Sequence, residues 1–541
     1  MAEEGFQVAM ICWSLVFIGT TSVLMRLVKE MWLKPARIRS VLWRQGIRGP
    51  APSFIFGNVS EMKKIQSSNI NINQKPSGVK RVQHNWVPSF FPYLQQWEQQ
   101  YGQVYMYSTG SKQHLYVSDP KLLRELKLHN SLDLGRPTYL SKPMQPLLGD
   151  SVIRANGEEW AYQKKIIAPE FFLDKVKGMV GLMEESTKTI IKTWESRILE
   201  SEEGIVDITI DEDLKSLSAD IISRACFGSS YSQGNQIFAK IAALQDILSH
   251  PSLLFGFLNF RFLPTENDKK VRSLKKEVDA LLLKLVRDRQ AESQLCGTSE
   301  KDLLQMILES AASSTEMPSH KTDQFILDNC RTIYFAGSET TALAASWTLM
   351  LLALQPEWQD RVRAEIFEVC GDDDQLHHCL QDMNTLRKLK MLTMVIQESL
   401  RLYGPGVIMA REALTNMKFG DLDVPEGIHI WTFIPALHRD PKNWGSDADE
   451  FKPEREVATR QLTKPKQTGR RGRAKSRKIG EFFWAGNIDS WGKHGKVFAG
   501  GGGGPTGRRG VVTWDDQDRS FAHSKGFYSV LLGPANGFQV C

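Results

Sequence analysis

The stretch Ile326–Leu354, ILDNCRTIYFAGSETTALAASWTLMLLAL, constrains this chain most. Its pattern is that of one long, buried, apolar helix, which needs neighbouring elements to cover it. The centre departs from that pattern. Gly337 costs about 1 kcal/mol against alanine inside a helix. Ser338, Glu339, Thr340 and Thr341 put four polar side chains in an apolar setting. A carboxylate there needs a partner or water. Gly337, Thr340 and Thr341, at i, i+3 and i+4, share one face. A small residue thus opens a gap beside hydroxyls, with an acid next to them. That arrangement suits a groove for a small ligand and a proton relay. The competing reading is a kinked helix whose Thr hydroxyls bond back to carbonyls.

Most of the 541 residues agree with a large helical body. The segments EWAYQKKIIAPEFF, DEDLKSLSADIISRACFG, VRSLKKEVDALLLKLVRDRQAES and WQDRVRAEIFEVC all carry apolar residues at three- and four-residue spacing. Gln103–Pro120 reads as a β-hairpin, and strand-like pieces return at Ala413–Ile434. Ser310–Asp323 reads as a polar loop. The fold class expected is mainly α: one large helical domain with small β-sheets. Seven cysteines fall at positions 12, 226, 296, 330, 370, 379 and 541 and form no metal or disulfide framework, so free thiols are expected.

At the N-terminus, Phe6–Met25 is a run of 20 residues without a charge, enough for a helix to cross a bilayer core. Arg26, Lys29, Lys34, Arg37 and Arg39 follow it, which places the body on the cytosolic side. A cleaved signal peptide is the alternative. It wants positive charge before the run and a small-residue cleavage site after it. Residues 1–30 are therefore expected to be a membrane anchor. Residues 31–58, with Gly49, Pro50 and Pro52, are expected to be a basic, stiff hinge.

Glu398 and Arg401 of VIQESLRLYGPG stand at i and i+3 on one helix face in apolar surroundings, as a buried ion pair does. Arg455 is a candidate to share that site. Five segments in order then carry a resemblance: LGRP (Leu134–Pro137), GEEWAYQKK (Gly157–Lys165), AGSETT (Ala336–Thr341), ESLR (Glu398–Arg401) and Phe433–Arg455, which ends in FKPER. Together they are similar to a cytochrome P450, a haem-thiolate monooxygenase, over roughly residues 45–455. Gly46–Gln66 most resembles microsomal plant members that oxidise gibberellin-type diterpenoids.

The resemblance implies roles. Glu339 and Thr340 deliver protons to dioxygen, while Ala336, Gly337 and Thr341 line the oxygen groove. Glu398, Arg401 and Arg455 form a structural triad. Trp160, Lys164 and Arg411 hold the propionates of haem b, Lys164 standing where the family usually has Arg. Partners implied are NADPH–cytochrome P450 reductase, O2, an apolar small-molecule substrate and the endoplasmic reticulum membrane, crossed once; no nucleic acid is implied. Residues 59–455 are the expected catalytic domain, left incomplete at its end.

Past Arg455 the resemblance stops. The family's iron ligand is a Cys in a Phe-x-x-Gly-x-Arg-x-Cys-x-Gly loop, and no such loop occurs in residues 456–541. The nearest echo, Phe498–Gly507, has Gly503 for the Arg and Pro505 for the Cys, and Cys541 is the only cysteine after Arg455. No metal ligand is identifiable. Residues 456–541 hold 16 glycines and 15 Lys and Arg against 6 Asp and Glu, so this tail carries the positive charge of a chain whose net charge is +6. Three readings stand: a solvated extension, a basic binding arm, or a segment from a retained intron or faulty gene model.

Overall fold

The computed structural model of the chain describes residues 2–73, 84, 86–128, 132–202, 206–228, 231–248, 266–296, 302–313, 319–371 and 382–455. Everything expected of residues 456–541 lies outside them. The described residues form two compact units.

The first unit comprises residues up to Pro137 together with Ala410–Phe433. It opens with the helix Ala2–Val28, continued by a π-helical turn Lys29–Leu33 and the helix Lys34–Arg44. This helical stretch is long and apolar enough to cross a membrane, and none of its apolar window is buried. Of the expected basic, Pro/Gly hinge at 31–58, the part up to Arg44 is helical. Its amphipathic part buries Pro35, Ile38 and Leu42 and points Arg37 to solvent. The stiff Gly/Pro segment begins only after Gln45.

The expected hairpin forms from β1 (Val104–Thr109) and β2 (Lys112–Val117), turning at Gly110 with φ +59°. The sheet continues through β3 (Leu134–Gly135), β4 (Ile408–Ala413) and β7 (His429–Phe433), in the order β1-β2-β7-β4-β3. A separate ribbon pairs β5 (Met417–Phe419) with β6 (Leu422–Val424). In β3–β4 the antiparallel register sets Leu134 opposite Ala413 and Gly135 opposite Glu412.

The second unit is helical. Its centre is the 35-residue helix Ser319–Ala353, beside which Ile210–Phe227 runs. The helix starts inside the expected Ser-rich loop, so Ser319–Asp323 is helical and the loop is shorter than its composition suggests. Phe227 and Tyr334 stack in the core with ring centroids 4.3 Å apart, among Leu147, Leu244, Leu282, Leu304 and Ile307. Cys226 and Cys330 lie in this core as free thiols, and Cys12 is free and exposed. Cys370 departs from the expectation of free thiols: it is disulfide-bonded to a partner not among the described side chains.

Candidate functional site

Four polar residues in the first half of the central helix fix it in place. Asp328 accepts from the Asp150 N–H at 2.8 Å, and Asn329 from the Val152 N–H at 3.0 Å. Arg331 Nε donates to the Leu147 carbonyl at 2.8 Å, and Thr332 Oγ1 to that of Leu148 at 3.0 Å. A fully buried guanidinium is tolerable only with such partners. These bonds hold the segment that leads into the helix Gly157–Ile167, which carries Trp160 and Lys164. There the Lys164 ammonium lies 4.7 Å from the centre of the Trp160 ring, a cation–π pair on one helix face.

Half-way along, Ala336, Gly337 and Ser338 are buried, while Glu339, Thr340 and Thr341 are partly exposed. The helix is unbroken through Gly337. Thr340 Oγ1 donates to the Ala336 carbonyl at 2.8 Å, and Ser338 Oγ to that of Tyr334 at 2.9 Å. The back-bonding is therefore real, and it comes without a break in the helix. From the neighbouring helix, Ser218 Oγ donates to the Gly337 carbonyl at 3.1 Å. Burial raises the Glu339 carboxyl above its ordinary value; Lys215 lowers it and Asp211 raises it. A raised carboxyl keeps its proton further towards neutrality, as a proton donor needs.

Glu398, Arg401 and Arg455 come together. Arg401 uses its whole donor set: Nε and Nη2 donate to the two Glu398 oxygens at 2.8 Å each. Its Nη1 reaches the carbonyls of His438 at 2.7 Å and Ala448 at 2.6 Å, and Nη2 that of Glu450 at 3.1 Å. A guanidinium has five N–H groups, so none is left over. Arg455 Nε stands 3.5 Å from Glu398, but its closer acid is Asp447, whose carboxyl it holds well below the usual range together with Lys452. Asp447 and the three carbonyls escaped the motif reading. The repeated acids of SDADEF were their only signal.

In the first unit, Arg411 on β4 has a neighbour that the motif LGRP contained but to which no role was given. Arg136 is partly buried, and burial followed by the charge of Arg411 pushes it down to about 9. Two neighbouring guanidinia repel each other, and a nearby anion lowers that repulsion. The pair suits the carboxylate edge of a cofactor. The thiolate side does not fit. Cys226 and Cys330 are packed in the hydrophobic core, and burial pushes both thiols up, Cys330 to about 12. Cys12 lies in the N-terminal helix and Cys370 is bonded. Among the described residues no group of three or more His, Cys, Asp or Glu is placed to hold a metal ion. The described residues therefore fit the propionates of a haem and offer nothing for its iron.

Comparison with known proteins finds similarity over most of the chain. The family model for Cytochrome P450 matches residues 82–466. Cytochrome P450 714A2 of Arabidopsis thaliana is 44% identical over 454 residues, covering 82% of this chain and 83% of that protein. Cytochrome P450 714C2 of Oryza sativa subsp. japonica is 44% identical over 426 residues, covering 79% of this chain and 80% of that one. Cytochrome P450 714D1 of the same rice is 36% identical over 457 residues, covering 79% and 78%.

Proposed function

The chain belongs to the cytochrome P450 family, and on that premise we propose that its body is the scaffold of a plant monooxygenase that has lost its iron ligand. Members of the family are haem monooxygenases that take O2, electrons from a reductase and an apolar substrate. Haem supplies the oxygen activation when it is bound. What this chain contributes is positioning. In the first unit Arg411 with Arg136, and in the second Lys164 with the Trp160 ring beside it, are the groups proposed for its propionates. Glu339, its carboxyl raised by burial, stands beside Thr340 in a groove bordered by Ala336, Gly337 and Thr341. The Glu398–Arg401–Arg455 cluster anchors the segment from which the ligand loop departs in the family.

The reaction class is hydroxylation or epoxidation of an apolar small molecule. A gibberellin-type diterpenoid is the substrate class, on the resemblance of Gly46–Gln66. The anchor is Ala2–Val28, crossing the endoplasmic reticulum membrane once with the body in the cytosol. Residues 31–58 connect it to a catalytic domain at 59–455.

One observation carries the loss of ligation: no described cysteine faces a site, and residues 456–541 contain no family ligand loop. The alternative product is a haem-less, non-catalytic membrane protein. Transcript sequencing across the Arg455 codon separates a true chain from a faulty gene model. A second splice form encoding the Cys loop is expected; transcripts that all continue into Glu456 refute the gene-model reading.

A further inference from the structure

Three features weaken the central helix at a single turn. Gly337 has no side chain, and its backbone keeps a freedom that the helix must take away. One residue on, Ser338 Oγ donates to the Tyr334 carbonyl at 2.9 Å. Thr340 Oγ1 donates to that of Ala336 at 2.8 Å. Hydroxyls bonded back in this way compete with the helix's own N–H groups and tend to bend it. Yet the helix runs unbroken from Ser319 to Ala353. The local sequence favours an opening that the structure does not show, so the hold comes from outside the helix.

A carbonyl has two lone pairs. In an unbroken helix that of Gly337 accepts from the Thr341 N–H, four residues on. It also accepts from Ser218 Oγ, 3.1 Å away on the helix Ile210–Phe227. Ser218 is 3% exposed and Gly337 is buried, so bulk water does not compete for this place. A second observation sets the same helix face along the turn. Asp211, Lys215 and Ser218 stand at i, i+4 and i+7 and share that face. Burial raises the Glu339 carboxyl, and Lys215 and Asp211 act on it from there. Both helices belong to the second unit, where they pack along each other.

We infer that Ser218 is a positioning residue of the oxygen groove. Its hydroxyl pins the Gly337 carbonyl and keeps the turn Gly337–Thr341 helical. The width of the groove is thus set from the neighbouring helix and not by the motif alone. Loss of the hydroxyl frees one acceptor site on that carbonyl and lets the turn open. This rests on the reading of Ala336, Gly337 and Thr341 as that groove.

The test is amide hydrogen exchange on the full chain, read by mass spectrometry on peptides that cover Gly337–Thr341. Ser218→Ala removes the hydroxyl and leaves a good helix former, while Gly337 keeps its helical partner, so the fold is retained. Exchange in these peptides is expected to rise about 2- to 10-fold, as the loss of one buried hydrogen bond allows, with the flanking turns unchanged. Ser218→Thr keeps the hydroxyl and is expected to restore the rate of the unaltered chain. Cys226→Ala is the structural control. It opens a gap on the same helix, in the core that holds Cys330, and leaves Ser218 untouched. It should speed exchange along the helix without singling out this turn. No change in Ser218→Ala, a rise spread as in Cys226→Ala, or no recovery with Ser218→Thr overturns the pin. The measurement needs no haem. Its failure therefore removes the pin and leaves the groove reading standing, whereas a failed groove reading leaves the selective opening in place.

Discussion

Replacing Arg401 by methionine removes five hydrogen bonds from one buried point. Two go to the Glu398 carboxylate at 2.8 Å and three to the carbonyls of His438, Ala448 and Glu450. Glu398 is 4% exposed. It keeps the Lys452 N–H at 3.0 Å and Arg455 at 3.5 Å, so it is not stranded. The carbonyls of His438, Ala448 and Glu450 lose these donors. Breaking a buried pair from one side costs about 3–5 kcal/mol. That is a large share of the roughly 5–15 kcal/mol that holds a typical domain. Arg401→Met is therefore expected to lower the unfolding free energy by about 3–5 kcal/mol, read from urea unfolding followed by circular dichroism. Glu398→Gln and the double variant complete a cycle. The two changes should couple by about 1–3 kcal/mol, because the carboxylate suffers most when only its guanidinium is removed. A loss below about 1 kcal/mol for Arg401→Met, or strict additivity, refutes the reading of this cluster as a buried structural anchor.

Three further outcomes are expected. His429 and His438 are buried, and burial above all pushes both down to about 3. The unfolded chain then takes up their protons first, so stability is intact above about pH 6.5 and falls with pH towards 3, by up to about 1.4 kcal/mol per pH unit for each histidine; urea midpoints at several pH values read the slope, which His429→Phe flattens. Gly149 has φ +54°, and a Cβ there would lie 1.9 Å from Asp328 Cγ; Gly149→Ala should cost about 2–4 kcal/mol, measured the same way. Thr340→Val removes only a hydroxyl bonded back along its own helix; stability should change by less than about 1 kcal/mol, which leaves the hydroxyl available for function rather than folding.

What the sequence revealed and what it hid follow one physical line. Glu398 and Arg401 are three residues apart on a helix, and local spacing was enough to pair them. The long central helix was legible from its apolar run, and the hairpin at Gly110 from its turn residues. The Arg136–Arg411 pair was not legible, because it depends on a non-local register. Leu134 faces Ala413 and Gly135 faces Glu412, so the next step along the strands sets Arg136 by Arg411. A shift of one residue would have separated them. Asp447 was hidden for a similar reason: a loop carries it back onto Arg455 with no periodic signal. The helix from Lys34 to Arg44 was concealed by composition, since its basic residues suggested a hinge while Ile38 and Leu42 were its buried face.

The most direct measurement compares two proteins expressed with ample haem precursor. One is the chain as it stands. In the other, everything after Arg455 is exchanged for the corresponding segment of the Arabidopsis relative. Each is reduced, exposed to carbon monoxide and scanned for the absorption band of a thiolate-ligated haem. The account predicts no such band for the chain itself and a clear band for the exchange, because the Glu398–Arg401–Arg455 cluster is already in place. A clear band from the unaltered chain contradicts the lost ligation, and no band from the exchange contradicts the intact scaffold.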